Sequence, residues 1–122
     1  GVFMEQMALF LVTLLHSGTN THLQHWTTKS YAQHKALNHF YENIITHTDA
    51  LAEAYFGCYG QITKFPDTYH LPRGEPLGYL QSLQKFVKDA RGDLPKDSEI
   101  VQLIDNIAEL IDSTIYMLKF KS

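Results

Sequence analysis

Between Ile100 and Leu118 the apolar residues Ile100, Leu103, Ile104, Ile107, Leu110, Ile111, Ile115 and Leu118 recur every three or four positions. A half-buried strand needs alternation by twos, so this spacing predicts an amphipathic helix with one apolar stripe. The same spacing appears three more times. It runs through Phe3, Met7, Phe10, Leu11, Leu14 and Leu15, then through Ala36, Leu37, Phe40, Ile44, Leu51, Ala52 and Tyr55, then through Leu77, Leu80, Leu83, Phe86, Val87 and Ala90. No strand pattern and no internal repeat interrupts them, and four amphipathic helices can bury their stripes only against one another. The chain therefore reads as all-α.

The punctuation between the stripes sets the boundaries. The first helix is expected from Val2 to about Trp26, with Gly18 and the run Thr19–Thr21 as a soft point or kink, because glycine and threonine are poor helix formers. Residues Thr27–Ser30 break it, and Ser30 suits the N-cap of a second helix over Tyr31–Tyr59 that Gly57 and Gly60 stop. Gln61–Gly74, with two prolines and Asp67, is expected as a loop with room for one helical turn. Pro76 fits the first position of the third helix and Gly92 closes it; after the connector Asp93–Lys96, Asp97 can cap the last helix, with Lys119 and Lys121 at its negative end. Two long helices, a connection long enough to cross over and two further helices describe a ferritin-like four-helix bundle rather than an up-and-down one.

Length and composition limit what such a bundle does. The 122 residues suffice for a single domain, residues 1–122, and 44% hydrophobic with 19% charged residues is a globular composition. A net charge of -3 without any basic run argues against a protein that coats nucleic acid through its phosphates. The most apolar run, Met7–Leu15, is far short of the roughly 18–20 residues of a membrane span and lacks a positive flank, so neither an anchor nor a signal peptide is expected. The one cysteine, Cys58, has no partner for an internal disulfide, which points to a reducing, cytoplasmic setting; at a helix end beside Gly57 it is expected as a small buried residue.

Six of the seven histidines, His16, His22, His25, His34, His39 and His47, fall in the first half of the chain, which raises metal binding. The Glu-x-x-His pattern of di-iron bundles is absent, since neither Glu42 nor Glu53 has a histidine three residues later. At 100° per residue, however, His34, Asn38, Glu42, Asp49 and Glu53 lie within an arc of about 100° on one helix face. Asp49 and Glu53, one turn apart, can hold one cation together, and His25 ends the preceding helix close to the start of this one. Two imidazoles and two carboxylates suit Fe(II), Zn(II) or Mn(II) better than Ca(II), because nitrogen ligands select the transition metals. A charged stripe on a long helix is also, in most proteins, simply the solvated face. Trp26, Tyr41 and Tyr55 read first as packing residues, and His22 and His39 as surface histidines that can serve as spare ligands.

The run His25-Trp26, then His34, then Asp49-Ala-Leu-Ala-Glu53, with Ile111-Asp-Ser-Thr-Ile-Tyr-Met-Leu-Lys-Phe120 near the end, resembles the Dps mini-ferritins over most of the chain, from about Met4 to Phe120. That resemblance implies a ferritin-like subunit that assembles with copies of itself into a hollow dodecamer. It also implies a site shared between two subunits, with His25 and His34 from one chain and Asp49 and Glu53 from its neighbour. There Fe(II) would be oxidised by peroxide or dioxygen and stored as Fe(III). The sequence departs from the family in three places. Asn38 stands where a third carboxylate is usual, with Glu42 one turn on as a possible substitute; His25 and His34 are only nine apart, about three fewer than usual; and no lysine-rich arm precedes the first helix. The short joint and missing arm are most similar to small Dps-like proteins predicted from tailed-phage genomes, which would work in a bacterial or host cytoplasm. Two alternatives follow: an assembly or interaction protein on the same scaffold without iron chemistry, and, third, a DNA-protecting protein whose basic patch forms only on oligomerisation.

Overall fold

The computed structural model describes residues 2–67 and 74–120. Its elements are α1 (Val2–Thr27), α2 (Tyr31–Tyr59), α3 (Pro76–Ala90), a 3₁₀ turn (Arg91–Asp93) and α4 (Ser98–Leu118), with no strand among the described residues. No helix among them is long and apolar enough to cross a membrane. The expected four helices are therefore present, each within a residue or two of its expected bounds. The third runs on into the 3₁₀ turn instead of stopping cleanly at Gly92. Residues 61–67 form no helix, while 68–73 and Lys121, on which parts of the reading fell, lie outside the described residues.

Side-chain contacts fix how the helices pair. Gly18 lies against Ile44, and His25 against His34, so α1 and α2 are antiparallel. The Phe10 and Phe86 rings stack at 5.8 Å and the Gln24 amide donates to the Gly74 carbonyl, so α3 is antiparallel to α1 as well. Arg91 pairs with Asp105 at 2.8 Å and Gln84 with Asp112 at 2.9 Å along α3 and α4, and Tyr59 meets Asp97 where α2 ends and α4 begins. The stripes meet in one core, in which Phe10, Leu14, Phe40, Ile44, Leu83 and Ile107 are fully enclosed. Phe3 and Leu15, read as part of the first stripe, are instead 43% and 45% exposed.

The helix runs unbroken through the soft point in α1. Ser17 donates to the Leu14 carbonyl at 2.6 Å and Thr21 to the Ser17 carbonyl at 2.7 Å, so both buried hydroxyls are satisfied within the helix itself. A Cβ on Gly18 would come within 3.2 Å of Ile44 Cγ2, so this glycine is there for the close approach of α2.

Caps account for the ends. Ser30 Oγ accepts from the Gln33 N–H at 3.2 Å, and Gly60, at φ 97°, closes α2 with its N–H on the Phe56 carbonyl. Asp97 occupies the N-cap of α4 as expected, but its carboxylate caps nothing. It accepts from Tyr59 Oη and from Cys58 Sγ at 3.7 Å. Cys58 is consequently exposed at the surface, contrary to the expectation of a buried thiol. The Tyr59 hydrogen bond holds the Asp97 carboxyl below its ordinary value, and the same bond pushes the Tyr59 phenol up to about 12.

Gly18→Val should destabilise by about 1–3 kcal/mol through overpacking, whereas Gly57→Ala, with open space around it, should stabilise by about 0.5–1 kcal/mol in urea denaturation. The Tyr59 contribution to stability is complete below the unfolded tyrosine value of 10.0 and is lost as pH rises through about 12. The matching Asp97 contribution is present above 3.8 and is lost as pH falls through its lowered value. Tyr59→Phe should remove one phenol from the fraction that ionises near 12 in an alkaline ultraviolet titration.

Candidate metal half-site at the first helix junction

The turn between α1 and α2 is short and braced by polar side chains. Thr28 Oγ1 donates to Gln33 Oε1 at 2.6 Å and accepts from the Ser30 N–H at 3.2 Å, while the Thr28 N–H reaches back to the Gln24 carbonyl at 2.9 Å. This places the last turn of α1 directly against the first turn of α2. His25, buried to 8% exposure, and His34, exposed on its outer side, stack with centroids 3.6 Å apart and planes at 21°. His25 Nδ1 lies 2.7 Å from the His34 carbonyl oxygen, and His34 Nδ1 lies 3.0 Å from the His25 carbonyl oxygen.

That reciprocity decides the tautomers. A carbonyl oxygen only accepts, so each Nδ1 must carry the hydrogen, and in the neutral ring the lone pair is left on Nε2. A backbone carbonyl on the far nitrogen is one of the partners, with carboxylates and water, that orient a metal-binding histidine. The nine-residue spacing thus yields a pair of imidazoles in direct contact, each with its potential ligand nitrogen defined.

Aromatic neighbours surround the pair. His22 stacks on Tyr41 at 3.9 Å and 8°, meets the edge of Trp26 at 4.9 Å and lies 6.2 Å from His25. Tyr41 packs edge-on to His25 at 5.2 Å, and its hydroxyl donates to Asn38 Oδ1 at 2.8 Å. Tyr31 lies 6.3 Å from His34. Trp26 and Tyr31 are 68% and 70% exposed, so the junction presents an aromatic rim to the outside. Tyr41 is the residue whose part the sequence reading missed. Its signal was there, since Asn38 and Tyr41 are three apart on the helix that carries His34.

The other candidate ligands stand elsewhere. Asp49 and Glu53 are exposed one turn apart, and Glu42 is exposed between them and Asn38. At 1.5 Å per residue, His34 and Asp49 are about 22 Å apart along α2, so one ion cannot touch both within one chain. Correspondingly, no three His, Cys, Asp or Glu side chains converge on one point among the described residues. Of the predicted set, the structure brings together His25 and His34, with Asn38 beside them through Tyr41, and leaves Glu42, Asp49 and Glu53 along the outer stripe. His39 and His47 face a separate groove against α4, opposite Glu109.

The profile of a family of unknown function, DUF5856, matches residues 25–118, and the chain belongs to that family. No curated protein and no solved structure matches it.

In the neutral form His25 and His34 should both appear as the Nδ1–H tautomer in a long-range ¹H–¹⁵N correlation spectrum. A hydrogen on Nε2 of either ring would contradict the reciprocal bonding.

Proposed function

We propose that the protein is a Dps-like mini-ferritin: a ferritin-like four-helix subunit, with a crossover between α2 and α3, that binds Fe(II) between two copies of itself. The helix directions support the topology. Since α2 and α3 are both antiparallel to α1, they point the same way, and the chain between them must travel the length of the bundle. Ile62 and Lys64 sit beside Met4 and Glu5, Phe65 and Pro66 beside Gln6 and Leu9, and Gly74 beside Gln24, a course from one end of α1 towards the other.

The observation that carries the function is the reciprocal bonding of His25 and His34, which gives two oriented Nε2 nitrogens with no third His, Cys, Asp or Glu ligand converging on them among the described residues. Asp49 and Glu53 are the complementary half. If two α2 helices cross antiparallel about a two-fold axis near Glu42, His34 of one copy is level with Asp49 and Glu53 of the other. The face involved suits an interface, because Leu15, Trp26 and Ile45, respectively 45%, 68% and 49% exposed, share the outer side of the α1–α2 pair with the stripe.

The chemistry follows from the ligands. Two neutral imidazoles and two carboxylates neutralise Fe(II), and the carboxylates favour the harder Fe(III), so electron loss to peroxide or dioxygen is eased. The product hydrolyses and is stored inside a hollow oligomer, a dodecamer by resemblance. Zn(II) and Mn(II) fit the same donors. The second reading, a scaffold kept for assembly in the cytoplasm of a bacterium or a phage host, is favoured by Asn38, which replaces a charge with a neutral amide already bonded to Tyr41.

Anaerobic Fe(II) titration followed by peroxide or oxygen should show saturable binding and fast oxidation, both lost in His25→Ala and in Glu53→Ala. Because each site draws on two chains, co-refolding those two variants should restore about a quarter of the wild-type sites. Background-rate oxidation by the wild type would leave the assembly reading. Recovery of nothing, from variants that assemble, would show that the ligands are not shared.

A further inference from the structure

Three polar atoms inside the bundle stand without partners. Among the described residues, Asn20 Nδ2, Gln24 Oε1 and Tyr79 Oη are shielded from solvent yet take part in no hydrogen bond. As whole residues Asn20 and Tyr79 are only 2% and 1% exposed. A buried polar group left in that state is costly, and folded proteins commonly answer it with an internal water that makes about three hydrogen bonds. We infer, independently of the iron-binding reading, that these three atoms close on one buried water, which bridges α1 to the start of α3.

Helix register brings the three together. The Phe10–Phe86 stack and the Gln24–Gly74 hydrogen bond fix how α1 and α3 run past each other, and interpolation between them sets Tyr79 level with Gly18. Tyr79 and Phe86 are two turns apart, within about 20° around the axis, so Tyr79 faces α1 as Phe86 does. Asn20 and Gln24 are one turn apart on α1. Side chains lean toward the N-terminus of their own helix, and these two helices are antiparallel, so Tyr79 leans toward the Asn20–Gln24 turn while Asn20 and Gln24 lean toward it. The Gln24 amide is held by its other end, since Nε2 donates to the Gly74 carbonyl at 3.0 Å.

The donors and acceptors match a water. Asn20 Nδ2 only donates, Gln24 Oε1 only accepts, and a phenol does either. Burial pushes the Tyr79 phenol up to about 12, so it keeps its hydrogen at neutral pH. None of the three groups carries a charge, so neither a metal ion nor an anion is matched by them. A water accepts from the amide, donates to the carbonyl and still has a hydrogen or a lone pair for the phenol. The neighbouring hydroxyls cannot stand in as donors, because Ser17 and Thr21 give their hydrogens to the Leu14 and Ser17 carbonyls of their own helix. The water thus fastens the start of α3 to α1 by hydrogen bonds, beside the apolar contacts of the two stripes.

A high-resolution crystal structure should show one solvent oxygen within hydrogen-bond reach, about 2.7–3.2 Å, of all three atoms. Urea denaturation of the intact chain gives a second reading. Tyr79→Phe should lower the folding constant about tenfold, because a made hydrogen bond is lost; a hydroxyl buried without a partner would instead make the phenylalanine variant the more stable one. The loss in Tyr79→Phe combined with Asn20→Leu should fall short of the product of the two single losses by at least about threefold, since both give up the same water. A crystal in which the three atoms meet no solvent, a Tyr79→Phe variant as stable as wild type or more so, or losses that simply multiply would each overturn the shared water.

Discussion

A helix that ends leaves its last carbonyl oxygens without intrahelical partners, and something must satisfy them. In this chain the answer for His25 is the ring of His34, and the His25 ring returns the bond to the His34 carbonyl. Because both bonds use Nδ1, closing the α1–α2 hairpin and orienting two Nε2 lone pairs are a single event. The stack of the two imidazoles and the edge-on position of Tyr41 against His25 go with it.

The helices themselves were legible because apolar stripes at a helical period have no other stable use in a chain this size. Ser30 and Gly60 were legible as caps for the same kind of reason: an N-cap wants a short side-chain acceptor and a chain reversal wants positive φ. What failed were inferences that stop at one element. Gly18 looked like a weak point when judged by helix propensity alone, whereas its role is to admit Ile44 from another helix. Asp97 looked like a cap because nothing in its own neighbourhood announces Tyr59, thirty-eight residues earlier, as a stronger donor. Cys58 was expected inside on residue preference, but the helix end that carries it faces outward beside that same carboxylate.

The site was legible in kind and not in arrangement. His25 and His34 stood out individually, yet their contact depends on a turn whose geometry comes from Thr28 and Gln33 hydrogen-bonding side chain to side chain. Asn38 was visible as a missing charge, but Tyr41 was not visible as the group that engages it, since a tyrosine three positions on along a helix is usually packing. The exposed positions of Asp49 and Glu53 agree equally with a solvated stripe and with half of a shared site.

The brevity of the first turn also governs how the chain can be rearranged. New termini or an inserted tag between Thr27 and Tyr31 would separate two rings whose Nδ1 hydrogen bonds run to each other's backbone, while the apolar stripes of α1 and α2 would remain able to pair. Such a permuted protein would keep its helices and lose its imidazole pair. Fold and site are thus separable by topology alone, without replacing a single side chain.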